Sequence, residues 1–333
     1  MKRLVFVLPS QRVISSRVRA LRLSQYLKRE HAFYFVDRDH IQPLVFGYVI
    51  NILRFSKYLI SLDRRRSVLV FIKPIYVFPV VLARLFGHKD ISIDINDPYH
   101  HPMILGFART LILFALSSKK VFESVEYYNY CSQSPVFKTF LYKTAIIEDS
   151  PQHTAKVNIS HKEPTVAWFG SPTTSQCLLP YLSILRLWRT LGFNLVLMGA
   201  SSAVSAEIEA AGISHTLITQ YNFEELSQVL LRSQMSFVPM PIGDSLFELR
   251  GNLKAKLAMS FACCVFAADL AMHRRLILSG HDGILFSSHD QLTEQILSMT
   301  PIRLSHIMAQ AYAKISTNYS AESHALMLSS FIS

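Results

Sequence analysis

Cysteine is scarce, with four in 333 residues, at positions 131, 177, 263 and 264. That scattered and partly adjacent placement suits neither a disulfide framework nor a tetrahedral zinc site. The four are expected as buried thiols in a reducing compartment. Long apolar runs are missing as well. A bilayer span needs about 20 uncharged residues, and the best stretch, Met103 to Leu116, is short and carries Arg109. The N-terminal run Leu4-Val5-Phe6-Val7-Leu8 meets Pro9, too soon for the core of a secretion signal, so the expectation is a first strand in a cytoplasmic protein. Several catalytic signatures are also absent. No G-x-G-x-x-G follows that first run, and there is no Walker lysine, no G-x-S-x-G elbow and no zinc-ligand spacing. Their absence argues against dehydrogenase, P-loop NTPase and hydrolase chemistry.

Half of the residues are hydrophobic and 17% are charged, so the chain has enough apolar side chain to offset the entropy of ordering itself. Its length points to about two domains. The charge is uneven. Residues 1–160 hold 23 Lys/Arg against 11 Asp/Glu, whereas residues 161–333 hold 11 against 12. Such asymmetry points to a surface facing anionic lipid, phosphate or nucleic acid. Nucleic acid is not expected, because the arginines lack the interleaved aromatics of a base-stacking platform. An anionic membrane surface is the expected partner, which places the protein at the inner face of the cell membrane.

Short apolar runs at Leu4–Leu8, Ala32–Val36, Val68–Ile72, Ile91–Ile95, Val121–Phe122 and Ala145–Ile147 read as strands. Helical patterns lie between them at Arg17–Arg29, Pro79–Phe86 and Ile104–Leu116. After a polar stretch, Gln152 to Pro164, the alternation restarts with strands expected at Thr165–Phe169, Asn194–Met198, Thr216–Ile218, Met235–Val238, Cys264–Ala267 and Gly283–Phe286. Alternating strands and helices imply parallel, doubly wound sheets. The expected architecture is α/β, with a Rossmann-like domain over 1–155, a second over 162–305, a cleft between them, and a helical segment over 306–333.

Ligands of such sheets bind beyond the carboxyl ends of the strands, and five loops there carry candidate chemistry. Phe169-Gly170-Ser171-Pro172-Thr173-Thr174 ends a strand in glycine and small hydroxyls before a helix expected near Leu178; it either cradles a phosphate or only turns the chain. Met198-Gly199-Ala200-Ser201 is a similar turn. Pro239 to Lys254 is a long loop that gathers Arg250, Asn252 and Lys254 at a helix N-terminus, where cations are unfavourable unless an anion joins them. A diphosphate would resolve that conflict. Asp94-Ile95-Asn96-Asp97-Pro98-Tyr99-His100-His101 puts acids and histidines beyond a first-domain strand, with no third histidine or cysteine at ligand spacing for a metal; it reads as a polar acceptor pocket or an Asx turn. Ser10 to Arg22, with Arg17 and Arg19, either binds acceptor phosphate or forms a solvated basic face.

Taken in order, these pieces resemble a bacterial branch of glycosyltransferase family four. Val166-Ala167-Trp168-Phe169-Gly170-Ser171-Pro172-Thr173-Thr174 is similar to its I-G-W-I-G-S/T-P-x-T signature, Ser16-Arg17-Val18-Arg19 to its S-R-x-R, and Asp94-Ile95-Asn96-Asp97 to its D-x-D-D. Pro239 to Lys254 resembles its P-L-P…E-R-G-K…K-L segment, Met259-Ser260-Phe261-Ala262-Cys263 its Y-M-A-x-G, and Gly280-His281-Asp282-Gly283-Ile284-Leu285 its G-x-N-G-F-L. The likeness covers about four fifths of the chain.

The resemblance implies a GT-B fold and a retaining, metal-independent transfer of a sugar from a nucleotide-sugar substrate, without a cofactor. The acceptor implied is lipid-linked or a growing surface polysaccharide or lipopolysaccharide. Carried over by position, Gly170, Ser171, Thr173, Gly199 and Asn252 would bind the donor, Arg250 and Lys254 would neutralise the leaving diphosphate, and Glu248 would meet the sugar. Arg17, Arg19, Asp94, Asp97 and His100 would serve the acceptor. The chain departs from the wider family at Leu257, where a Glu or Gln would contact the ribose. A catalytically impaired partner of the same fold is the alternative which that departure leaves open.

Overall fold

In the computed structural model the described residues are 2–8, 23–27, 30–36, 44–72, 77–95, 104–151 and 157–332. They form two units. One comprises Met1–Ser150, Leu249–Gly251 and Ala321–Ser333, the other Pro151–Glu248 and Asn252–Ser320.

The first unit is built on a six-stranded sheet of β1 (Arg3–Leu8), β2 (His31–Phe35), β3 (Ser67–Ile72), β4 (Ile91–Ile95), β5 (Lys119–Phe122) and β6 (Thr144–Ile146). Their order is β2-β1-β3-β4-β5-β6, and every pairing is parallel. The runs Leu4–Leu8 and Val68–Ile72 are apolar without interruption because parallel strands are covered on both faces. Alternate residues point to opposite sides. Val5, Val7, Leu69 and Phe71 join one apolar cluster, with Phe55, Val80 and Phe114 from the helices on that side. Leu4, Phe6, Leu8, Val68 and Val70 join the other.

That second face is covered by the last helix of the chain, Ala321–Ile332, which contributes Ala325, Leu328 and Ile332. Lys119 Nζ donates to the carbonyls of Phe331 (2.9 Å) and Ile332 (2.8 Å), satisfying acceptors at the end of that helix that have no intrahelical partner. Lys120 is fully buried, donates to Ser117 O at 3.1 Å, and lies 4.2 Å from the centre of the Tyr142 ring. Burial, with Arg84 adding repulsion, lowers its pKa to about 8.

The second unit repeats the plan with β7 (Glu163–Phe169), β8 (Asn194–Met198), β9 (Thr216–Ile218), β10 (Ser233–Val238), β11 (Cys264–Ala268) and β12 (Ile284–Phe286). The order β12-β11-β10-β7-β8-β9 is again wholly parallel. Chain order reverses between β7 and β10, so the loops leaving their carboxyl ends flank the crevice where doubly wound sheets bind ligands. Those loops are the Gly170 turn and the stretch from Pro239 to Lys254.

Every strand expected from the sequence is present, with ends shifted by two residues or fewer. Several helices differ, and the described part of the one expected over Arg17–Arg29 is a 3-10 helix, Leu23–Tyr26. The helix expected near Leu178 begins as a 3-10 helix at Thr174–Tyr181 and becomes α-helical only at Leu182–Thr190, because Pro180 lacks the N–H an α-helical turn would use. Helix Leu44–Ser61 carried no assigned pattern. The terminal stretch is two helices, Pro301–Asn318 in the second unit and Ala321–Ile332 in the first. Among the cysteines, Cys131, Cys263 and Cys264 are buried, Cys177 is half-buried, and all four are free thiols. No helix among the described residues is long and apolar enough to cross a membrane.

Candidate functional site

In the second unit three neighbouring strands, β7, β8 and β9, end side by side and bring Gly170, Gly199 and Tyr221 together. Gly170 N–H donates to Met198 O at 3.0 Å and Gly199 N–H to Ile218 O at 2.7 Å, which extends the ladder past the strand ends. The Tyr221 hydroxyl donates to Gly170 O at 3.1 Å. Burial pushes the Tyr221 pKa up to about 12, so the hydroxyl keeps the proton it donates. Gly199 has φ +78, and a Cβ there would run into the Gly170 carbonyl oxygen and lie 2.8 Å from the Tyr221 ring. Glycine is required on both counts.

The turn after Gly170 is closed by Thr174. Its Oγ1 accepts from Ser171 N–H at 3.0 Å, lies 3.2 Å from Ser171 Oγ, and Thr174 N–H returns to Ser171 O at 3.0 Å. Ser171 and Thr173 are exposed, and the Thr173 side chain makes no capping bond. Over this turn stands Lys254. A Cβ on Gly170 would lie 2.8 Å from Lys254 Nζ, 2.7 Å from Thr174 Oγ1 and 2.8 Å from the Trp168 ring. The ammonium is therefore in the space that the absent side chain leaves, against bare main chain at a strand's carboxyl end. It also faces the Trp168 indole, 5.2 Å from the ring centre. A cation, an exposed hydroxyl and a glycine backbone together can hold a phosphate oxygen.

Lys254 is the second residue of helix Leu253–Ser260, and Asn252 immediately precedes it. The Asn252 side chain is buried and its Nδ2 donates to Met272 O at 3.2 Å. Glu248 Oε2 accepts from Ala271 N–H at 3.2 Å, the first residue of helix Ala271–Leu276. These two bonds pin the chain on either side of Leu249–Gly251 to one short segment, Ala271–Met272. Both residues do structural work that the sequence reading had given to the donor or its sugar.

Leu249–Gly251 count with the first unit. Leu249 joins its core cluster, and Gly251 has no room for a Cβ because the Glu123 carboxylate lies against it. Arg250 is half-buried. Arg250 and Lys254, expected to act on one leaving group, thus fall in different units. Asp94 is fully buried inside β4, in register with Ile72 and Val121, instead of standing beyond its end. Asp97, His100, Arg17 and Arg19 lie outside the described residues. Leu257 is buried in the second core, so the departure from the family's acid coincides with an apolar site.

Trp168, Thr174 and Tyr221 were not singled out as site residues. Trp168 and Thr174 stood in the quoted signature, but nothing in spacing alone distinguishes Thr174 from Thr173. Tyr221 sits three residues past β9 in a polar turn with no motif.

No family model and no curated protein matches the chain. Solved structures do. The sucrose-phosphate synthase from Thermosynechococcus elongatus superposes with TM-score 0.72 at 12% identity, over 99% of this chain and 98% of that one. Anabaena HepE in complex with UDP and glucose gives 0.69 at 10%, over 99% of each chain. TarM gives 0.67 at 13% over 85% of this chain, which spans only 58% of TarM. At such identities the likeness is one of fold, and the fold is the pair of parallel α/β units found in GT-B glycosyltransferases.

Proposed function

We propose that this protein is a glycosyltransferase that moves a sugar from a nucleotide-sugar donor to a lipid-linked or growing surface-polysaccharide or lipopolysaccharide acceptor, with retention and without a metal. The observation that carries the reading is the Lys254 ammonium held against the Gly170 main chain, at the switch point of a fold also seen in a protein solved with UDP and glucose. Breaking the bond between anomeric carbon and phosphate passes through an oxocarbenium-like state, and negative charge gathers on the departing diphosphate. Lys254 would meet that charge from the second unit, with the Gly170 turn and the Ser171 hydroxyl, and Arg250 would add a second cation. Glu248 and Asn252 support the reading indirectly, by fixing the chain on either side of Arg250 and just before Lys254.

The acceptor side rests on the first unit. On helix Leu44–Ser61, Leu53 and Ile60 are 63% and 64% exposed, with Arg54 and Lys57 exposed among them and Arg64, Arg65 and Arg66 exposed just beyond. Apolar insertion and charge together suffice for reversible attachment to an anionic bilayer, at about 1 kcal/mol for each basic residue near the surface. Lys119 and Lys120 count in the charge excess of residues 1–160 but do not add to this surface, because both are bound inside the unit. The first test is thermal denaturation against a panel of nucleotide sugars. At 100 times its Kd a donor stabilises the fold by about 2.7 kcal/mol, and the absence of any shift across uridine, guanosine, cytidine and thymidine diphosphate sugars would sink the assignment.

A further inference from the structure

A turn that receives an anion must aim N–H groups at the ligand and its carbonyl oxygens elsewhere, because a carbonyl oxygen carries partial negative charge. The Gly170 turn has three successive carbonyls, those of Gly170, Ser171 and Pro172, and each is bound on the protein side. Gly170 O accepts from the Tyr221 hydroxyl at 3.1 Å. Ser171 O accepts from the N–H groups of Thr174 at 3.0 Å and Ser175 at 3.1 Å. Pro172 O accepts from the Ser175 hydroxyl at 2.6 Å. Ser175 is fully buried, and its hydroxyl oxygen also accepts from Ser201 N–H at 3.2 Å, so this hydroxyl is itself fixed from the neighbouring turn, the one after β8.

A trans peptide is planar, with its oxygen and its N–H on opposite sides. Holding Pro172 O toward the buried Ser175 therefore turns the N–H of the same peptide, that of Thr173, the other way. Thr173 is exposed, and its N–H makes no hydrogen bond among the described residues. The Tyr221 hydroxyl fixes the first peptide of the turn in the same manner, at Gly170, whose missing side chain would otherwise leave that peptide freest to rotate.

Resting on the diphosphate reading above, we propose that Ser175 and Tyr221 are positioning residues for the donor: their hydroxyls hold the carbonyls of Pro172 and Gly170 so that the Thr173 N–H meets a diphosphate oxygen with no peptide left to rotate. Both act through the main chain of the turn and not on the donor itself. They come from different elements, Ser175 from the 3-10 helix Thr174–Tyr181 and Tyr221 from the turn that follows β9, so the turn is braced from two sides. Bracing of this kind lowers the cost of binding. Because the diphosphate is held both before and during transfer, losing a brace raises KM more than it lowers kcat.

Isothermal titration of pyrophosphate and UDP, with transfer kinetics on the same preparations, tests this on Tyr221→Phe and Ser175→Ala. Each variant lacks one tethering hydroxyl and should bind both ligands about 2- to 10-fold more weakly, with donor KM raised to match and kcat within about 2-fold of wild type. A role confined to the fold would lower Tm and leave these binding constants alone. Tyr221→Phe keeps the ring that packs on Gly199, and it carries the test where the fully buried Ser175→Ala fails to fold. Wild-type affinity for pyrophosphate and UDP in folded Tyr221→Phe, or a fall in kcat at unchanged KM, would overturn the inference while leaving the donor site intact. No binding of UDP, pyrophosphate or any nucleotide sugar to the wild type would overturn the donor reading, and this inference with it.

Discussion

Gly170→Ala separates the two duties of the Gly170 turn. The backbone there is not left-handed, so alanine adds no conformational strain. The added methyl meets three groups, Thr174 Oγ1 at 2.7 Å and both Lys254 Nζ and the Trp168 ring at 2.8 Å. The hydroxyl can rotate and the ammonium can swing out on its stem, but the ring is wedged in the core and yields least. Overpacking of this kind costs about 1–3 kcal/mol, and the lower end applies because two of the three neighbours can move. Turnover should suffer more, since the moving neighbour is the cation. Removing one preorganised donor from a developing oxyanion lowers kcat about 100- to 1000-fold. Urea denaturation and steady-state kinetics on the same preparation measure both numbers. Gly199→Ala provides the contrast: at φ +78 alanine loses about 1–2 kcal/mol, and its Cβ would strike the Gly170 carbonyl, so it should destabilise more than Gly170→Ala. A Gly170→Ala protein with wild-type kcat would refute the placement of Lys254 in the reaction.

Three further outcomes are expected. His88 is buried with one ring nitrogen 3.3 Å from Leu59 O, and burial, with Arg64 adding repulsion, lowers its pKa below the ordinary 6.5. The unfolded chain then takes up the proton first, so stability should fall as pH drops below about 6.5, by up to about 1.4 kcal/mol per unit until the folded-state pKa is passed. Melting curves of His88→Gln should lack that part of the slope, and identical slopes would refute the assignment. Leu257→Glu, which restores the family's acid, should lower Tm by about 6 °C or more, because an unpaired carboxylate in an apolar core costs several kcal/mol; a stable and more active variant would show that position 257 faces the ligand. In vesicle co-sedimentation, binding should require anionic lipid, weaken with salt and fall when Arg64, Arg65 and Arg66 become Gln, whereas Lys119→Gln should not weaken it. Equal recovery with neutral vesicles would exclude docking by charge.

Both sheets were readable in the sequence because their inner strands are short, doubly buried apolar runs bounded by polar turns. Helix Leu44–Ser61 was not, since Leu44-Val45-Phe46-Gly47-Tyr48-Val49-Ile50 is apolar without a 3.6-residue period, and its later exposed Leu53 and Ile60 blur the amphipathic pattern. Gly170, Gly199 and Lys254 were legible because a glycine after a strand and a lysine at a helix start are local features. Their convergence is not local. It depends on the order β10-β7-β8, which places residue 254 beside residue 170. The same limit explains Glu248 and Asn252: their partners, Ala271 and Met272, come from a distant segment that no spacing reveals. Asp94 was assigned to the loop together with Asp97 although it lies inside the expected strand Ile91–Ile95, whose ends the structure reproduces; in a strand covered on both faces that position is buried.

The central claim is that the Lys254 ammonium stabilises the leaving diphosphate at the Gly170 turn. Its direct measurement is the rate of glycosyl transfer from the stabilising nucleotide sugar, with EDTA present, for wild type and for Lys254→Ala of matched melting temperature. The predicted result is turnover by the wild type and a kcat lower by about 100- to 1000-fold in the variant, with donor KM changed far less. A folded Lys254→Ala protein that transfers sugar at the wild-type rate would contradict it.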